Sequence, residues 1–122
     1  MSLNIAIPCT PNYTNKRIIN SIPKSVDVVT QFITLYHSIK KNWQNFDYTI
    51  HLFRNERNPF SEYDRKRLCP LDIEIHTVKE DYKAKSEDRR TPFMIRCNIL
   101  NFKFRDASSH ILILDPDMIA LN

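Results

Sequence analysis

Glycine is missing from all 122 residues of this chain. That absence excludes a P-loop and the G-x-G-x-x-G turn of dinucleotide-binding folds, both built on backbone that only glycine supplies. Any phosphate gripped here is held by side chains or through a metal. Cysteine is scarce: Cys9, Cys69 and Cys97 are odd in number and far apart, which offers no disulfide framework and no zinc spacing. Reduced, partly buried thiols are expected. No run is apolar for long enough to cross a bilayer, and the first residues lack the basic and apolar regions of a signal peptide. The sequence therefore reads as soluble and cytoplasmic, with no transmembrane segment. An excess of one charge is also lacking. Lys and Arg total 18 against 14 Asp and Glu, a net +4, and the charges are scattered without a basic run. This balance tolerates a phosphate-bearing ligand and does not point to nucleic acid.

What is present fits one domain over residues 1–122, long enough for a real core and free of repeats or linkers. Asn4 to Pro8 reads as a short apolar strand, and Thr10 to Asn15 as a polar loop after it. Between Ser25 and Trp43 the residues Val28, Val29, Phe32, Ile33, Leu35, Tyr36 and Ile39 recur at helical spacing, with Lys40 and Lys41 near the end that favours cations. A strand follows at 48–53, then a short charged helix from Ser61 to Leu68. Residues 72–77 alternate strictly, as an outer strand with one exposed face does. Lys79 to Arg90 reads as loop. Thr91-Pro92 is a good helix start, and Phe93, Ile95, Ile99, Leu100 and Phe104 supply a stripe for a helix over 92–104. The last strand spans 110–114. Strands alternating with helices define an α/β fold with a mostly parallel, Rossmann-like sheet flanked by helices.

The final stretch, HILILDPDMIALN, carries the most chemistry. Ile111 to Leu114 form a continuous apolar run, the pattern of a strand buried on both faces, and are expected beside strand 4–8 in the sheet centre. Asp115 and Asp117 stand at its carboxyl end, where ligands of open α/β sheets bind. Two readings stand side by side. Asp-Pro-Asp is a natural solvated turn; it also gathers two carboxylates whose repulsion a divalent cation would relieve, with oxygen ligands suited to magnesium, manganese or calcium. His37, His51, His76 and His110 form no metal-ligand spacing, and each reads as a surface or packed residue. Cys9 reads as a small packed thiol.

The order of an N-terminal strand, a loop tyrosine, a long helix, a strand, an arginine-bearing helix and "ILILDPDMIALN" resembles the N-terminal, donor-binding half of GT-A fold glycosyltransferases of the D-x-D type, near glycogenin and lipopolysaccharide galactosyltransferases. The resemblance implies a nucleotide-diphosphate-sugar donor, an acceptor of unknown identity, and Mn2+ or Mg2+ held by Asp115 and Asp117. Tyr13 resembles the loop tyrosine near the nucleotide base, Thr10 and Asn12 are donor-binding candidates in the stretch that replaces the loop aspartate often found ahead of it, and Arg96 is placed like the helix arginine that supports the donor pocket. Thr14 to Lys24 looks like an insertion. In that family the acceptor site follows the D-x-D, so the chain reads as a fragment, inactive alone and open to self-association. Two further readings remain: a non-catalytic α/β binding or interaction module, and a fragment of a haloacid-dehalogenase-like phosphatase, in which an apolar strand also ends in D-x-D.

Overall fold

The computed structural model describes residues 2–10, 14–19, 22–25, 27–56, 59–79, 95–96, 98–105 and 110–121, with 14–19 and 22–25 described in their backbone alone. The elements are β1 (Leu3–Pro8), β2 (Thr14–Ile19), β3 (Ile22–Ser25), α1 (Val28–Asn42), β4 (Tyr48–Asn55), α2 (Glu62–Leu68), β5 (Glu74–Val78) and β6 (His110–Ile113). Four of the strands form one sheet in the order β5-β4-β1-β6, and every pairing in it is parallel. This is the small α/β, Rossmann-like arrangement that the strand and helix pattern implies.

Strand side chains alternate between faces, so β1 and β4 feed two cores. Ile5, Ile7, Ile50 and Leu52 point to one face, against Val29, Phe32, Leu35, Tyr36 and Ile39 of α1 and Leu68 of α2. Ala6, Phe53 and Val78 point to the other, against Ile95, Ile99, Phe102 and Phe104. Both faces are covered, which is why these strands read as near-continuous apolar runs. The Asp27 side chain caps α1 by accepting from the Thr30 amide at 3.0 Å, and Lys40 and Lys41 fill its last turn. Ser61 caps α2 in the same way through the Asp64 amide.

The connections position the ligand crevice. From β1 the chain steps to β4 and then to β5 with α1 and α2 on one face. It then passes over the other face, where residues 95–96 and 98–100 are helical, and lays β6 on the far side of β1. Right-handed crossovers make such a reversal change faces. The topological switch point, where ligands of open α/β sheets bind, therefore lies between the carboxyl ends of β1 and β6.

Several expectations need correction. Thr14 and Asn15, expected as the end of a loop, belong to β2, which pairs antiparallel with β3, and α1 starts at Val28 instead of Ser25. The helix expected over 92–104 does not reach 104. Its end is fixed by amide bonds from Asn101 to the Asn98 carbonyl and from Phe102 to the Ile99 carbonyl, after which 102–105 run without helix. Thr91, Pro92 and Phe93 lie outside the described residues, as do 80–90 of the expected loop. Strand β6 does pair with β1, but at an edge of the described sheet, and Ile111 is 43% exposed. Its apolar run is thus not a doubly buried central strand. Strand β5 is an outer strand, as its alternation implies.

Candidate functional site

The carboxyl end of β6 is built from the register outward. Ala6 pairs with Ile113, and the Leu114 amide donates to the Ala6 carbonyl at 3.0 Å. Continuing that register sets Asp115 alongside Pro8, the last residue of β1. Pairing stops there because Pro116 has no amide to donate. The Met118 amide donates to the Asp115 carbonyl at 3.1 Å, closing a β-turn with Pro116 and Asp117 at its two central positions. Proline is favoured at the first of those. Beyond the turn the chain is tied to α1: Ser38 Oγ accepts from the Ala120 amide at 2.9 Å, Asn42 donates to the Ala120 carbonyl at 2.8 Å, and the Trp43 indole donates to the Leu121 carbonyl at 3.0 Å. Anchored on both sides, the turn presents its aspartates from a fixed base.

Asp115 is ion-paired with the guanidinium of Arg96, both side chains being about a third to under half exposed. The helical residues over the second face thus reach the D-x-D through Arg96. Asp117 is exposed, and Thr10 is buried at the end of β1 next to Cys9, whose amide donates to the Phe53 carbonyl at 2.7 Å. The structure therefore unites Arg96 and Asp115 directly and brings Thr10 and Asp117 separately to the same end of the sheet. Asn12 and Tyr13 lie outside the described residues. Burial pushes the Cys9 thiol far above its ordinary value, and the carboxylates of Asp64 and Asp27 push the same way. It is a packed thiol with no thiolate to offer, as expected.

A second constellation was not legible in the histidine spacing. His51 on β4 faces Glu74 on β5 in register, and His76 lies two residues further along the same face of β5. His51 Nδ1 and His76 Nε2 are 2.9 Å apart, while Glu74 Oε2 is 3.4 Å from the first and 3.7 Å from the second. His51 Nε2 meets Asn4 Oδ1 at 2.8 Å. A carbonyl oxygen only accepts, so this contact puts the ring proton on Nε2 and turns the Nδ1 lone pair toward His76 and Glu74. Burial lowers the His51 pKa to about 4, with Glu74 opposing the shift and His76 adding to it. Burial lowers His76 too, against Glu74 and with Arg105. Both shifts favour the neutral imidazole. Phe104 sets its edge against His51 at 4.9 Å and Phe102 packs on His76 at 4.5 Å between centroids, so the rings are held in place. The signal was there in two strands: Glu74 and His76 alternate onto one face of β5, and His51 interrupts the apolar run from Ile50 to Phe53.

Comparison with protein-family models, with curated proteins and with solved structures gives no match. Among the described residues no helix is long and apolar enough to cross a membrane.

Proposed function

We propose that this chain binds a nucleoside diphosphate sugar at the β1/β6 switch point, as the donor-binding part of a metal-dependent glycosyltransferase. The observation that carries the reading is the position of Asp115, set by strand register beside the end of β1 where the sheet order reverses. Two carboxylates on one anchored turn form an all-oxygen donor set, which suits Mg2+ or Mn2+. Bound there, such an ion would serve as a Lewis acid on a departing diphosphate. The chain's own residues do the rest. Asp115 and Asp117 would hold the ion, Arg96 would orient Asp115 and add a cation beside the diphosphate, and Thr10 would offer a hydroxyl at the end of β1. The acceptor is unspecified.

Calorimetry with UDP and GDP, with and without MnCl2, tests this. Manganese should tighten nucleotide binding, and nucleotide should tighten manganese binding by the same factor, because coupling between sites is reciprocal. Asp117→Asn should cut the manganese effect at least tenfold, about 1.4 kcal/mol, and leave the fold intact, since the side chain is exposed on a turn. Nucleotide binding that ignores both manganese and the substitution would end the metal reading.

A second reading, a non-catalytic α/β binding module, is favoured by the ion pair itself. Arg96 already neutralises Asp115, and the Asp115–Met118 bond already accounts for a turn. Under that reading a nucleotide binds without metal, or none binds.

A further inference from the structure

We propose that His51, Glu74 and His76 form a second metal site, one that takes Zn2+ in preference to Mg2+ or Ca2+, on the opposite face of the sheet edge from α1 and independent of the two aspartates. The three potential ligand atoms, His51 Nδ1, His76 Nε2 and Glu74 Oε2, are separated by 2.9, 3.4 and 3.7 Å. A tetrahedral zinc ion with bonds of about 2.0–2.1 Å spaces its ligands roughly 3.3–3.4 Å apart. The triangle already has the dimensions of one face of that tetrahedron. Two imidazoles and one carboxylate are a zinc donor set, whereas magnesium and calcium take oxygen alone.

The surroundings are those of a ligand set. Metal-bound histidines donate their other ring N–H to a fixed acceptor, and His51 does so to Asn4 Oδ1 at 2.8 Å. Without metal, His76 Nε2–H is the only ring proton that can lie between two acceptors, His51 Nδ1 and Glu74. When zinc enters, that proton moves to His76 Nδ1 and Nε2 becomes the ligand. The aromatic edges of Phe102 and Phe104 limit how far either ring must turn. A cleft of about 310 Å³ opens over the triangle, and its rim includes Lys103 and Arg105. The fourth position faces this cleft, and the two cations there favour water, hydroxide or an anionic ligand. Zinc at this point would tie β4 to β5.

Equilibrium dialysis of the full chain against ZnCl2, with metal counted by atomic emission, reads the site. The expected result is one zinc per chain, with cobalt substitution giving the visible absorption of a tetrahedral ion. Asn4→Ala should weaken zinc about 10- to 100-fold, the usual loss when a partner of a ligating histidine is removed. His76→Gln and Glu74→Gln should each weaken it more, and because Glu74 is partly exposed on an outer strand, its variant should fold if the first does not. The double variant Asp115→Asn, Asp117→Asn should bind zinc as the parent chain does, which separates this site from the proposed donor site. Cys69→Ser should also leave binding unchanged. No saturable zinc, or zinc retained by both His76→Gln and Glu74→Gln, or zinc lost with the aspartates or Cys69, would overturn the proposal.

Discussion

At residue scale, Asp27 shows how one side chain ties local geometry to pH. The Thr30 amide and hydroxyl, with Arg67 nearby, hold its carboxyl below the ordinary 3.8. A carboxylate whose folded value is depressed contributes stability that is present above the unfolded value and lost as pH falls through the folded one. Asp27→Ala should therefore cost about 1 kcal/mol at pH 7, the usual worth of an N-cap, and the gap to the parent chain should narrow as pH falls below roughly 3.8. Asp27→Asn keeps a neutral cap, so its gap should be smaller than that of the alanine variant at pH 7 and should follow the same titration, because neither variant carries the carboxylate. Urea unfolding at pH 7, 5 and 3 measures all three. A gap for the alanine variant as large at pH 3 as at pH 7 would show that the charged carboxylate contributes nothing. Chemistry at this scale was unevenly legible. Asp115 could be placed at a strand end because an apolar run feeds it, whereas its ion pair with Arg96 is a contact that only the fold shows. His51 and His76 are 25 positions apart, so only the register of β4 on β5 brings them together.

At the scale of elements, α1 and the segment around residue 100 make opposite cases. Helix α1 was readable because Val29, Phe32, Leu35, Tyr36 and Ile39 all fall on one side at 3.6-residue spacing, and all are buried. Phe102 and Phe104 are two positions apart, which in a helix would put them on nearly opposite sides. Both pack on the second core, so the chain has to leave the helix before them. Leu100, counted in the apolar stripe, is 69% exposed beside the fully buried Ile99. Ile99→Ala should thus cost about 2–5 kcal/mol, while Leu100→Ala should stay within about 0.5 kcal/mol of the parent chain. Chemical denaturation of the pair decides it. Equal losses, or a larger one for Leu100, would mean that the segment is turned the other way.

At the scale of the whole molecule, the place of a strand in the sheet governs its stability more than its hydrophobicity does. The run Ile111 to Leu114 is as apolar as Ile5 to Ile7, and composition alone ranks them as equals. Pairing separates them. Strand β1 is bonded to β4 on one side and β6 on the other, and β4 lies between β1 and β5, whereas β5 and β6 each have one described neighbour. The adjacency of β6 to β1 was expected from right-handed connections and from an apolar run read as the most buried strand. Its edge position was not, because hydrophobicity reports how apolar a strand is and not how many strands flank it. Amides paired on both sides and covered by both cores open only with the global unfolding transition, while edge amides open in smaller local events. Hydrogen exchange at pH 7 should accordingly be slowest in β1 and β4 and faster in β6, despite the equal apolar character of β6. Zinc should slow exchange in β5, which the proposed His51–Glu74–His76 site would clamp to β4, and should leave β6 unchanged on the other side of the sheet. Protection of β6 equal to that of β1 would show that its outer edge is covered in solution, and the sheet order would then have to be extended past it.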